Sequence, residues 1–249
     1  MTKTFINAIK SEMLEEIEKF PKSDAHNHAT RGGNINYVLD GLVDEIPVCP
    51  PKLIDLPCMS AWYIKYIEPH CRGLEGFERR IKGAFLQAKN DGVTELALSV
   101  SIDHSEHYGY DYGKYIDRLN DIHREVAPEV NFYPEISFSR KNNIEPVLST
   151  IDEILSFNFF TSIDLKGNEL EPVENFVEVF KKEKEKGLVL KAHIGEFSSA
   201  EKIKEVIEKL DLDEVHHGIK AIDSKEVMAY IKERQTILNI CPSSNVILS

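Results

Sequence analysis

Residues 187–218 read GLVLKAHIGEFSSAEKIKEVIEKLDLDEVHHG, and this stretch decides the fold. A short apolar run, Leu188–His193, has the length and residue types of a buried strand. Ser199 is a fitting N-cap, and apolar residues recur at helical spacing from there to Leu210. A second short run, Glu214–His217, follows within a few residues. Strand, helix and strand at these lengths make a βαβ unit, which requires a parallel sheet. Working outward, further strands are expected near Ser23–His28, Val93–Val100, Asn131–Phe138, Phe160–Leu165 and Ile237–Ile240. Helices are expected at Gly76–Lys89, Tyr112–Val126, Glu145–Phe157, Pro172–Lys186 (Pro172 in its first turn, Gly187 as its stop) and Ser224–Glu233. About seven strands alternating with helices in 249 residues predict an α/β fold, a TIM-type (β/α)8 barrel, as a single domain over 1–249. The irregular segment 31–72 holds Pro47, Pro50, Pro51 and Pro57 and the cluster Trp62, Tyr63, Tyr66. It reads as a lid-like insertion, or as a loop on the barrel rim.

The chain carries 30 Lys and Arg against 42 Asp and Glu, a formal charge of −12. That balance argues against a surface built for nucleic acid or for anionic lipid. Cys49, Cys58, Cys71 and Cys241 match no zinc-binding spacing and are too sparse for a disulfide scaffold. The first twenty residues read as an acidic amphipathic helix without the long apolar core of a signal peptide, and no apolar run approaches membrane-spanning length. The expected location is the cytoplasm.

Four stretches can carry chemistry, each at a strand end. Asp24-Ala25-His26-Asn27-His28 places two histidines on one strand face, where they can grip one metal ion, although two polar rim histidines would look the same. In Lys191-Ala192-His193-Ile194-Gly195-Glu196, His193 ends an apolar strand, and Glu196 follows in the next turn, where burial would fit it to donate a proton. Glu214-Val215-His216-His217-Gly218 offers a histidine before a glycine that tolerates unusual backbone angles. Ile163-Asp164-Leu165-Lys166-Gly167-Asn168-Glu169 offers a glycine at which a flat ligand can approach the backbone, or an ordinary turn. His104 and His107 read as part of a mobile polar loop, and Cys241-Pro242 as a packing and turn feature.

The order of these stretches, PKSDAHNH, IDLKGNE, KAHIGE, VHHG and finally ICPSSNV, spans residues 21–246. In that order it resembles the adenosine deaminase family of metal-dependent hydrolases. The resemblance implies a single Zn2+ held by His26, His28 and His193, a family aspartate completing the set. It implies Glu196 as the residue that protonates purine N1 and His217 as the one that orients and deprotonates the attacking water. Gly167 would meet the purine at N3. The implied reaction is hydrolytic deamination at C6 of adenine.

Two departures from the family's pattern bear on this. Its Asp-Asp pair lies on an eighth strand, and the sequence through Ser249 contains neither that βα unit nor any Asp-Asp pair. The expectations are a piece of a longer protein, a barrel completed by a partner chain or homo-oligomer, or a catalytically incomplete regulatory or binding subunit. Second, the family's nucleoside enzymes follow the histidine pair with Leu-Asp-Gly, whereas here Ala29, Thr30, Arg31, Gly32 and Gly33 follow. A guanidinium in place of a carboxylate favours an anion. The expected ligand is therefore a purine 5′-monophosphate such as AMP or dAMP rather than adenosine, with Thr30 and Arg31 in contact, free backbone N–H groups at Gly32 and Gly33, and help from Lys65. Free adenine or an N6-modified adenine nucleotide is the alternative substrate.

Overall fold

The computed structural model describes residues 2–39 and 46–248. Seven strands, β1 (Lys22–His28), β2 (Val93–Ser101), β3 (Asn131–Ser139), β4 (Ser162–Lys166), β5 (Val189–Ile194), β6 (Glu214–His217) and β7 (Ile237–Asn239), form one parallel sheet in chain order. Helices cover it: α1 (Thr2–Lys10), α2 (Leu14–Glu18), α3 (Ile35–Val38), α4 (Leu56–Tyr66), α5 (Gly73–Asn90), α6 (Tyr112–Val126), α7 (Ile144–Ser156), α8 (Val177–Glu185), α9 (Ala200–Leu210), α10 (Lys225–Arg234) and α11 (Pro242–Leu248). The sheet is rolled. Strands sit about 4.8 Å apart, so β1 and β6 would lie roughly 24 Å apart in a flat sheet. Instead the rings of His26 on β1 and His216 on β6 stack with centroids 3.6 Å apart. The result is a nearly closed TIM-type barrel of seven staves.

Period-2 alternation divides the strands between two environments. Ile136, Phe138, Ile163, Leu165, Leu190, Ala192 and Val215 belong to the main apolar core under the helices. Glu135, Ser137, Ser162, Asp164, Lys191, His193 and His216 are buried polar residues of the other register. Lys191 Nζ bridges Glu135 (3.1 Å) and Glu214 (3.3 Å), so these buried charges are paired. Helix α9 shows how sequence makes the outer layer. The Ser199 side chain accepts from Lys202 N–H as the N-cap, and Ala200, Ile203, Val206, Ile207 and Leu210 form its buried stripe.

Several boundaries differ from expectation. The N-terminal helix is two helices, broken where Glu12 takes a left-handed φ of 53°. Pro172 precedes the helix rather than opening it: a short 3-10 turn, Glu174–Phe176, leads into α8. The segment 102–108, expected as a mobile loop, is a 3-10 helix pinned by the Ser105 hydroxyl on the Ile102 carbonyl (2.8 Å). The stretch after Cys241 is the helix α11 with Pro242 at its start, a position where the missing N–H costs nothing. The insertion expected over 31–72 contains α3 and α4, and its residues 40–45 lie outside the described residues. α4 begins at Asp55, whose carboxylate accepts from Cys58 N–H. No helix among the described residues is long and apolar enough to cross a membrane.

One buried group gives the fold a pH dependence. Glu183 of α8 is fully buried, and neither carboxylate oxygen has a hydrogen-bond partner among the described residues. Burial pushes its pKa up to about 8 from an ordinary 4.5. The folded state thus keeps the proton that the unfolded chain releases, and stability falls as pH rises from 4.5 to 8. Glu183→Met is expected to raise the melting temperature by several degrees at pH 8, at about 2–4 °C per kcal/mol for a chain of this size. Thermal melts at pH 5 and pH 8 check this, because an equal shift at both would place the effect in packing rather than in charge.

Candidate active site

The C-terminal ends of β1, β4, β5 and β6 converge on a cluster of histidines. His26 and His28 leave β1 with ring centroids 4.8 Å apart, and the β1–β2 register shifts between Asp24 and Asn27. Asn27 Nδ2 donates to Asp24 (2.8 Å), and Asn27 Oδ1 accepts from His28 N–H (2.8 Å), so local side-chain bonds hold this irregular strand end. His193 reaches across from β5, its Nε2 3.3 Å from His28 Nε2. Its Nδ1 bonds Asp164 Oδ1 on β4 at 2.8 Å. A ring whose Nδ1–H is donated to a carboxylate keeps a lone pair on Nε2.

His216 and His217 occupy successive positions, yet both belong to the cluster. His216 lies in the barrel interior with Nε2 3.3 Å from Glu135 Oε1. His217 takes φ 70°, a left-handed angle uncommon outside glycine, and this turns its side chain from the alternate face back toward the site. Its Nε2 lies 3.5 Å from Glu196 Oε2, and its Nδ1 accepts from Asn245 Nδ2 at 3.1 Å.

Glu196 sits on a loop that one carboxylate ties down. Glu169 accepts the backbone N–H groups of Gly195 (2.9 Å), Glu196 (2.9 Å), Phe197 (3.3 Å) and Ser198 (2.9 Å) and the Ser198 hydroxyl (2.6 Å). The loop's carrier strand is held as well, since Arg140 Nη2 donates to the His193 carbonyl (2.7 Å). Gly195 turns at φ 79°, and a Cβ there would lie 2.4 Å from Ile203 Cδ1. Glu196 Oε1 accepts from Ser244 Oγ at 3.1 Å.

The electrostatics follow from burial. It pushes Glu196 up to about 7, with the Glu169 charge adding and the Ser244 hydrogen bond opposing. It pushes His217 down to about 3, assisted by His193, so this ring is neutral across the physiological range. His26 and His28 fall well below the usual histidine range, through burial and then through the other rings. Burial works against ionised Asp164, but His193, hydrogen-bonded to it, and then His216 hold its carboxyl well below the usual range.

This donor set fits a divalent metal. The ligand atoms of His26, His193 and His217 lie within 4.8 Å of one another, and those of His26, Glu135 and His216 do so as well. His26 Nδ1 is buried without a hydrogen-bond partner. Imidazoles with converging ring nitrogens, one of them orphaned, are what a cation of borderline softness requires.

The structure thus brings His26, His28, His193, Glu196 and His217 together. Gly167 follows β4 with φ 112°, open only to glycine without strain. The Thr30 carbonyl accepts from the Tyr63 hydroxyl at 2.9 Å, and Arg31 lies over the Tyr63 ring, 4.8 Å from its centroid, with Nη1 3.3 Å from Ser60 Oγ. Two expectations fail. The Gly32 N–H is already bonded to the His28 carbonyl (2.7 Å) and is not a free donor. Lys65 is exposed with its ammonium over the Tyr66 ring (4.8 Å), and no contact joins it to the cluster. The sequence reading passed over Asp164, Glu169, Ser244 and Asn245. Period-2 alternation back from Lys166 marks Asp164 as sharing its strand face. Ser244 and Asn245 lie in the ICPSSNV stretch, but nothing local points to their partners, which lie 48 and 28 residues away.

A family model for adenosine deaminase matches residues 129–249. A Treponema pallidum (strain Nichols) protein provisionally named adenosine/adenine deaminase is 30% identical over 237 residues, covering 95% of this chain and 79% of that protein. Among solved structures, the Arabidopsis ADAL protein complexed with IMP superposes with a TM-score of 0.76 at 17% identity, covering 94% of this chain and 74% of that one. A zinc-bound amidohydrolase from Burkholderia ambifaria superposes with a TM-score of 0.71 at 17% identity, covering 92% and 67% respectively. Those two likenesses are of fold. The family model and the near full-length Treponema match are of sequence, and by them the chain belongs to the adenosine deaminase family, as an aminohydrolase of the adenosine/adenine deaminase type.

Proposed function

We propose that this chain serves hydrolytic deamination at C6 of an adenine nucleotide, a 5′-monophosphate such as AMP or dAMP, with one zinc ion held by His26, His28 and His193. The observation that carries the reading is the pairing of Glu196 and His217. A carboxyl poised at about 7 and a neutral ring face each other at 3.5 Å beside converging imidazoles. When bound, the metal supplies a Lewis acid that lowers the pKa of a water toward neutrality. The residues do the rest. Glu196, about half protonated at neutral pH, donates its proton to purine N1, which lets C6 accept a nucleophile without charge building on the ring. His217, with Nε2 turned to the same space, orients the water and accepts its proton. Asp164 fixes the His193 ring through Nδ1, and the Glu169 loop holds Glu196 in place. Gly167 lets the flat base approach the backbone. Segment 31–72 serves as the lid, tied down by Tyr63 on the Thr30 carbonyl.

The nucleotide preference rests on Arg31, whose guanidinium contacts only the Tyr63 ring and the Ser60 hydroxyl among the described residues. Ammonia release from AMP, dAMP, adenosine, adenine and N6-methyl-AMP, with added zinc, tests substrate and activity together. The highest kcat/KM is expected for a monophosphate; a preference for adenine or adenosine would reject that assignment. A charge-assisted contact is worth about 1.5–3 kcal/mol, so Arg31→Ala is expected to cut the AMP-to-adenosine ratio about tenfold or more.

A further inference from the structure

Three cations, Arg31, Arg80 and Lys166, lack a carboxylate partner among the described residues. In a chain with 42 acidic side chains against 30 basic ones, a cation usually finds a partner. Yet Arg31, Arg80 and Lys166 have no carboxylate oxygen within 4.0 Å among the described residues. Arg80 Nε is buried with no hydrogen-bond partner among the described residues.

One ring contact and several through-space charge effects relate the three to one another. Arg31 covers one face of Tyr63 on α4, and the Arg80 charge acts on that same Tyr63 hydroxyl from α5. Arg80 lies one helical turn beyond Phe77, whose ring packs 4.9 Å from His104, so Phe77 and Arg80 share a face of α5. The charges of Lys166 and Arg80 both bear on His104, whose Nδ1 is buried and unpartnered. Lys166 ends β4 directly before Gly167, and its charge reaches His28, which joins the cationic space to the histidine cluster. The neighbouring carboxylates are engaged elsewhere. Asp164 bonds His193 (2.8 Å), and Asp103 accepts from Ser101 Oγ (3.2 Å) and Asn142 Nδ2 (2.9 Å).

We propose that Arg80 and Lys166, together with Arg31, form an anion pocket at the barrel mouth that grips the phosphate of the nucleotide. The inference rests on the nucleotide reading above and adds two residues to it. The Arg31 and Lys166 charges repel, and a phosphate with acceptor oxygens on every side relieves that repulsion. Arg80 and Lys166 are half-buried and Arg31 is exposed, so less water competes at the first two than at the third.

The test is equilibrium binding of IMP and of inosine to the full chain, read by titration calorimetry and by the fluorescence of Trp62, the single tryptophan, on α4 beside Tyr63. Neither ligand is consumed, so the readout does not depend on turnover. The parent protein is expected to prefer IMP by tenfold or more, with inorganic phosphate competing. Lys166→Met and Arg80→Met are each expected to lower the IMP-to-inosine affinity ratio about tenfold, one charge-assisted contact apiece. If Arg80→Met fails to fold, Lys166→Met decides alone. A parent preference for IMP that Arg31→Ala removes and Lys166→Met does not would overturn the pocket while leaving the nucleotide reading in place. A parent with no preference for IMP overturns both.

Discussion

Replacing Glu196 with glutamine is expected to lower kcat by about 10²–10⁴, the usual worth of a positioned general acid. Glutamine keeps the shape and can still accept from Ser244 Oγ, as Glu196 does at 3.1 Å. It has no proton to give to N1. The pH profile separates this from a packing defect. Burial pushes Glu196 up to about 7, so the acid form prevails below that pH and is lost above it. His217, down at about 3, stays neutral throughout. In the parent enzyme kcat/KM should hold level up to pH 7 and then fall tenfold per unit. In Glu196→Gln the residual rate should lack that limb. If the limb persists in the variant, another group owns the proton.

The second large effect is on metal. His193→Ala is expected to abolish stoichiometric zinc binding, because it removes the ring whose Nε2 sits 3.3 Å from His28 Nε2. Asp164→Asn is the subtler change. It leaves the ring but replaces the carboxylate that holds Nδ1 at 2.8 Å, so the ring loses its orientation and its basicity. Outer partners of this kind are worth about 10–100-fold in metal affinity. Metal content by elemental analysis, with competitive chelator titrations for the affinities, reads both variants directly. Zinc affinity unchanged in Asp164→Asn would mean that His193 is oriented by something else, the Arg140 contact to its carbonyl being the next candidate.

Much of this was legible in residue order. The alternation of short apolar runs with capped, periodic segments predicts the parallel barrel, and Ser199 and Ser224 cap α9 and α10 as their side chains suggest. The misreadings have local physical causes. Pro172 looks like a helix opener but precedes the 3-10 turn. Pro242, read as a turn, opens α11. Gly32 looked like a free donor, but its N–H closes the turn onto His28.

The sequence by itself determined the order of strands and helices, the family, and the residue types at each strand end, because period, caps and motif spacing are properties of neighbours along the chain. Tertiary structure alone decided which of them meet. His28 and His193 are 165 residues apart and touch because the sheet rolls. His217 joins Glu196 because its backbone turns left-handed where its strand ends. The proton-holding Glu196 and the lowered histidines are products of burial and through-space charge. Those forces depend on how far apart groups lie in space, and no local pattern encodes that distance.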